Sequence, residues 1–72
     1  MTTNPWNLPP RQVEVMQLLT TGAAGCNKTV ARFMGISDRT VEAHVLRAMA
    51  KMKAPNRVQA ALEWDRWARG QE

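Results

Sequence analysis

At 72 residues the chain is one small domain, close to the lower limit at which a hydrophobic core holds without a metal, a disulfide or a partner. A single cysteine and a single histidine exclude an internal disulfide and fall short of the four ligands of a structural zinc site, and 6% aromatics with no tyrosine and no β-branched alternation favour helices over sheet. Ten Lys plus Arg against six Asp plus Glu leave a net charge of +4, the balance of a small domain that meets a polyanion; no apolar stretch nears the ~20 residues of a membrane span and no secretory signal opens the chain, so an all-α, cytoplasmic protein is expected.

Residues 1–7 read as a flexible tip with Trp6 as its only anchor, and residues 8–70 as the folded domain. Pro9 and Pro10 suit the first turn of helix 1, where a missing amide proton costs nothing. Val15, Leu18 and Leu19 share one side of that helix with Met16 on its flank, and the run ends at Gly22 within TTGAAG. Asn27 offers its side-chain oxygen as a cap for a helix 2 of about two turns, with Val30, Ala31, Phe33 and Met34 as its apolar segment and Gly35 as its stop. Ser37 is a good N-cap, Asp38 complements the positive helix end, and no glycine or proline interrupts the chain before Pro55, which places helix 3 from about 38 to 53. Asn56 caps a final helix, about 56–69, that stops at Gly70.

Helix 3 separates into three strips at ~100° per residue. Val41, Val45, Ala48, Met49 and Met52 fall together and face the core. Thr40, His44, Arg47 and Lys51 recur along a second strip as hydrogen-bond donors or cations, the pattern of a rail for phosphates. Arg39, Glu42, Ala43, Leu46 and Ala50 lie furthest from the core, aimed at whatever the helix lies against. Ahead of this helix, Ala31 permits a close crossing, Gly35 accepts a left-handed turn and Ile36 plugs the corner. A helix-turn-helix built this way sets the N-terminal part of its second helix in the DNA major groove. The plain alternative is a structural crossing of two helices, against which the basic balance weighs.

These residues also resemble the LuxR/NarL-type helix-turn-helix regulators. LPPRQVEVMQLL stands where that family shows Leu-Thr-x-Arg-Glu-x-Glu-Val-Leu, and NKTVA where it shows Asn-Lys-Glu-Ile-Ala. ISDRTVEAHVLRAMAKMKAPNRVQAA carries its Thr-Val-x-x-His, Lys-Met and Asn-Arg-x-x-Ala pieces. The resemblance implies a four-helix LuxR-type domain that binds double-stranded DNA as a homodimer through its last helix; no cofactor is expected, and RNA polymerase or another LuxR-type regulator is a candidate further partner. Because the chain ends on both sides of the module, a stand-alone, GerE-like member is expected. There are departures: Pro9 and Gln12 remove the family's usual cap on helix 1, GAAGCNKTVA is about two residues longer than the family's link, and Cys26 replaces its serine cap.

The family positions that touch bases fall on Glu42, Ala43 and Leu46, with Arg39 able to bond both acceptors of a guanine. Glu42 either accepts from a cytosine amino group, or pairs locally with Arg39 or Arg47, or sits in solvent. Thr40, His44, Arg47, Lys51 and Lys28 are the candidates for phosphate contact. Arg11 and Arg57 are weaker ones. On the last helix Val58, Ala61 and Leu62 read as the core strip, while Ala60, Trp64 and Trp67 project from another side and read as the dimerisation surface; the alternative is that the tryptophans fold back on Trp6 and complete a monomer core. No nucleophile or carboxylate converges on His44, so no catalytic residue and no enzyme is expected. The rival function is an interaction protein of the same fold that pairs with and silences a full-length LuxR-type regulator without reading DNA.

Overall fold

The computed structural model describes residues 4–20 and 26–70, and among them the chain forms four α-helices and no strand: α1 (Pro10–Thr20), α2 (Asn27–Met34), α3 (Asp38–Met52) and α4 (Arg57–Arg69). Helix α1 packs on α3 and α4, α2 packs chiefly on α3, and α3 also meets α4. The expected break at Gly22 and the long link after it lie outside the described residues.

Residues 4–8 form a closed turn ahead of α1. Asn4 is buried, and its side-chain oxygen accepts the amide of Leu8 at 2.8 Å while the Asn7 amide donates to the Asn4 carbonyl at 3.1 Å. Asn7 takes a left-handed backbone, φ +57°, which asparagine tolerates better than most residues. This closed turn buries Leu8 and carries Trp6 back over α4. The first helical bond then runs from the Val13 amide to the Pro9 carbonyl at 3.0 Å, so Pro9 opens the ladder and Pro10 takes the first helical position. Val15, Met16 and Leu19 face inward with Gln12, and Leu18 is only partly covered.

Helix α2 ends at Gly35, φ +69°, with the Ile36 amide bonded to the Ala31 carbonyl at 3.0 Å. A Cβ at Gly35 would meet nothing within 4 Å, so the backbone conformation rather than lack of space favours glycine there. Val30 and Ala31 are buried as the apolar pattern requires, but Phe33 is 71% exposed, because α2 has only eight residues and its inward face is filled by the other two. Helix α3 starts on Ser37, whose Oγ accepts the Thr40 amide at 3.1 Å, and it stops when Lys53 turns left-handed and the Ala54 amide bonds back to the Met49 carbonyl at 3.0 Å.

Helix α4 starts on Asn56, whose side-chain oxygen accepts the Gln59 amide at 2.8 Å. Its inward face is the reverse of the expected one. Ala60 and Trp64 are 0% and 1% exposed, whereas Val58 and Leu62, expected in the core, are 65% and 54% exposed. The reason lies at the other end of the chain: Trp6, Trp64 and Trp67 form a triangle with ring centroids 5.8, 5.9 and 5.1 Å apart. Burying indoles against one another and against Ala60 removes more apolar area from water than burying Val58 and Leu62 would. The tryptophans therefore complete the core of the protomer. The assignment of Ala60 and Trp64 to a dimer surface is corrected accordingly, since a second copy cannot reach them without opening the core.

Candidate nucleic-acid interface

The third helix is held by Val41, Val45, Ala48 and Met52, all buried, with Met49 partly covered beside them. That row fixes which side chains must point away. Arg39, Leu46, Arg47, Ala50 and Lys51 are exposed, and Ala43 is half-buried at the centre of the outward strip. Among the described residues neither Arg39, Arg47 nor Lys51 is engaged in an ion pair, in contrast with Arg11, Arg57 and Arg69, which meet Glu14, Glu42 and Asp65. Leu46, 54% exposed, gives the strip an apolar side chain. The structure thus brings Arg39, Ala43 and Leu46 onto one outward strip with Arg47 and Lys51 along its edge.

Two residues of the expected phosphate rail sit differently. Thr40 is exposed, but its Oγ1 is 2.9 Å from Ser37 Oγ, so the hydroxyl is already part of the helix cap. His44 is half-buried with Nδ1 enclosed and without a protein partner, which leaves only part of the ring towards solvent. Lys28 is exposed in the first turn of α2.

Glu42 is exposed at the flank of the outward strip and meets two neighbouring helices. Its Oε1 accepts from Asn27 Nδ2 at 2.7 Å and lies 3.7 Å from Arg57 Nη1, while Arg57 Nη2 donates to Asn27 Oδ1 at 2.5 Å. The partners expected from local spacing, Arg39 and Arg47, are not the ones it meets. Asn27 is likewise not the cap of α2: it is the first helical residue, and Cys26 holds the cap position with no side-chain hydrogen bond. In its ionised form the exposed Cys26 thiol is favoured by the Thr29 amide, then by the Thr29 hydroxyl and the Lys28 amide, which set its pKa below the usual thiol value. Asn27, expected as a cap, instead bridges the Glu42 carboxylate and the Arg57 guanidinium, a pairing that local spacing does not signal.

Among the described residues no group of His, Cys, Asp or Glu is placed to hold a metal, and no helix is long and apolar enough to cross a membrane.

A family model described as bacterial regulatory proteins, luxR family, matches residues 7–63. The nitrate/nitrite response regulator protein NarL of Escherichia coli strain K12 and that of Escherichia coli O6:H1 strain CFT073 are each 38% identical over 55 residues, covering 76% of this chain and 24% of theirs. The chain therefore spans about a quarter of the length of these curated relatives. No solved structure matches it.

Proposed function

The chain belongs to the luxR family of bacterial regulatory proteins, a family of DNA-binding helix-turn-helix transcription regulators, and from that premise we propose that it binds double-stranded DNA sequence-specifically as a small cytoplasmic homodimer with α3 in the major groove. The observation that carries this reading is the outward strip of α3: cations without ion-pair partners among the described residues, beside small and apolar side chains, on a helix whose opposite face is locked in the core. A polyanion supplies the missing counter-charges. Releasing the condensed ions of the duplex then gives the affinity, and Arg39, Ala43 and Leu46 face the base edges. Arg47 and Lys51 hold phosphates from the edge of the strip, with Lys28, Thr40 and His44 as flanking contacts.

The homodimer in this proposal uses α4, through its exposed face in place of the tryptophans. Val58, Ala61 and Leu62 lie with Leu19, Thr20 and, at its edge, Asp65 around a shallow groove, and the aliphatic side chains of two copies would cover one another. A twofold pair presents two copies of α3 to successive major grooves, so an inverted-repeat site is expected.

Fluorescence anisotropy of the whole chain on a random duplex, between low and moderate salt, tests the binding. The affinity should fall steeply with salt, and Arg47→Ala or Lys51→Ala should each weaken binding to every sequence alike and reduce the slope by about one. Arg39→Ala should instead alter the preferred site. No binding at low salt would favour the rival reading, a partner that silences a full-length regulator. Sedimentation of Leu62→Asp checks the dimer: a monomer that folds normally supports the α4 surface, and an unchanged dimer removes it.

A further inference from the structure

We propose that Asn27, Glu42 and Arg57 form a tie that sets how α3 lies on DNA, so that Glu42 governs sequence discrimination by positioning the helix and makes no base contact of its own. The inference rests on the DNA-binding reading above. Each of three helices contributes one member: Asn27 and Arg57 are the first residues of α2 and α4, and Glu42 lies in the second turn of α3. The amide is the centre of the tie. With Nδ2 on the carboxylate at 2.7 Å and Oδ1 accepting from the guanidinium at 2.5 Å, only this orientation of the amide puts its donor at the anion and its acceptor at the cation. The Arg57 guanidinium then approaches the same Glu42 oxygen at 3.7 Å and closes the ring.

A carboxylate that reads cytosine must point into the groove and be free to accept there. Here Oε1 accepts from Asn27 and lies 3.7 Å from Arg57 Nη1, which holds the half-exposed carboxylate to the flank turned to α2 and α4, and Glu42 stands ~100° around the helix from Ala43. What the tie can control is the setting of α3. Hydrogen bonds to base edges weaken steeply with distance and angle, so a small rotation of the helix costs discrimination at every base pair it reads. Phosphate attraction is long-ranged and tolerates the same rotation. Removing the carboxylate also removes a negative charge beside the duplex. The signature is therefore two effects of opposite sign: discrimination falls while affinity for any duplex rises. A residue that merely supports the fold would lower both, and a direct reader would change the preference at one base pair.

The test is site selection from a random duplex library with the full chain, followed by anisotropy on the selected site and on a random duplex, for the wild type, Glu42→Ala, Glu42→Gln, Asn27→Ala and the Glu42→Ala/Asn27→Ala pair. Glu42→Ala and Asn27→Ala should keep the wild-type consensus but lower the ratio of specific to random affinity by ~3–10-fold, the range expected for loss of charge-assisted bonds at a half-exposed site. Glu42→Ala should also bind the random duplex ~2–3-fold more tightly. Glu42→Gln, whose amide oxygen still accepts from Asn27, should recover most of the ratio, and the double variant should be no worse than either single one. A new preferred base at one half-site position in Glu42→Ala alone would assign Glu42 to base reading and overturn the tie, as would unchanged ratios in both single variants. If the wild type enriches no sequence, the DNA-binding reading itself fails and takes the inference with it; enrichment by the wild type without the expected variant pattern defeats the inference alone.

Discussion

Helices α3 and α4 start alike, each on a polar side chain that accepts an amide of the first turn, and then spend their residues in opposite ways. In α3 the inward row is built of small and medium side chains, and the outward cations Arg39, Arg47 and Lys51 are held by no ion pair among the described residues. In α4 the inward row centres on Trp64, the cations Arg57 and Arg69 meet carboxylates, and the outward face carries Val58 and Leu62. The contrast sorts two kinds of partner. A face of uncompensated positive charge is satisfied by a polyanion, and a face of exposed aliphatic side chains by another apolar surface. On the proposed reading, charge recognition and self-recognition fall on separate helices.

Trp64→Ala breaks the comparison most severely. The side chain is 1% exposed and touches both other indoles, so truncation should cost about 3–5 kcal/mol, which approaches the whole stability of a domain this small. Denaturant unfolding followed by tryptophan fluorescence would register a collapse of the midpoint. Loss of self-association with an unchanged midpoint would mean that Trp64 serves an interface and that the two faces of α4 have been exchanged. Ser37→Ala acts on the other helix and should cost about 1 kcal/mol, because the Thr40 amide loses its acceptor. Thermal unfolding checks the loss, and the same variant should not change which sequence is selected, since the cap orients no base-facing side chain.

How much of this was legible in the sequence follows the range of the interactions. Ser37, Asn56 and Gly35 act within a turn of their own positions, and they mark the helix ends in the sequence as they do in the structure. The inward face of α3 was equally legible, since fifteen residues with a single apolar row leave one solution for the side that is buried. Helix α4 carries two apolar rows on different sides, and local periodicity has no means of ranking them. Trp6 decides between them from near the opposite end of the chain, and all three tryptophans lie outside the residues that the family model matches. The tie at Glu42 was hidden for the same reason. Its members stand 15 and 30 positions apart by way of Asn27, so the local alternatives, Arg39 and Arg47, were the only partners that spacing could offer. The turn at Asn4 likewise closes a segment whose composition reads as a loose end.

The smallest effect expected is at the exit of α3, where it sharpens the contrast between a helix stopped by a left-handed residue and α4, which ends on Gly70 at φ −71°. Lys53 holds a left-handed backbone, φ +56°, so that the Ala54 amide can bond back to Met49 before Pro55. A side chain with a Cβ pays roughly 1–2 kcal/mol in that region, and glycine does not. Glycine also loses more freedom on folding, about 0.4–1 kcal/mol, which offsets most of the relief. Lys53→Gly should therefore stabilise the domain by only about 0.5 kcal/mol, seen as a small rise in the thermal midpoint. Destabilisation instead would mean that the Lys53 stem packs on the end of α3, and that a side chain rather than the backbone conformation holds the exit of this helix.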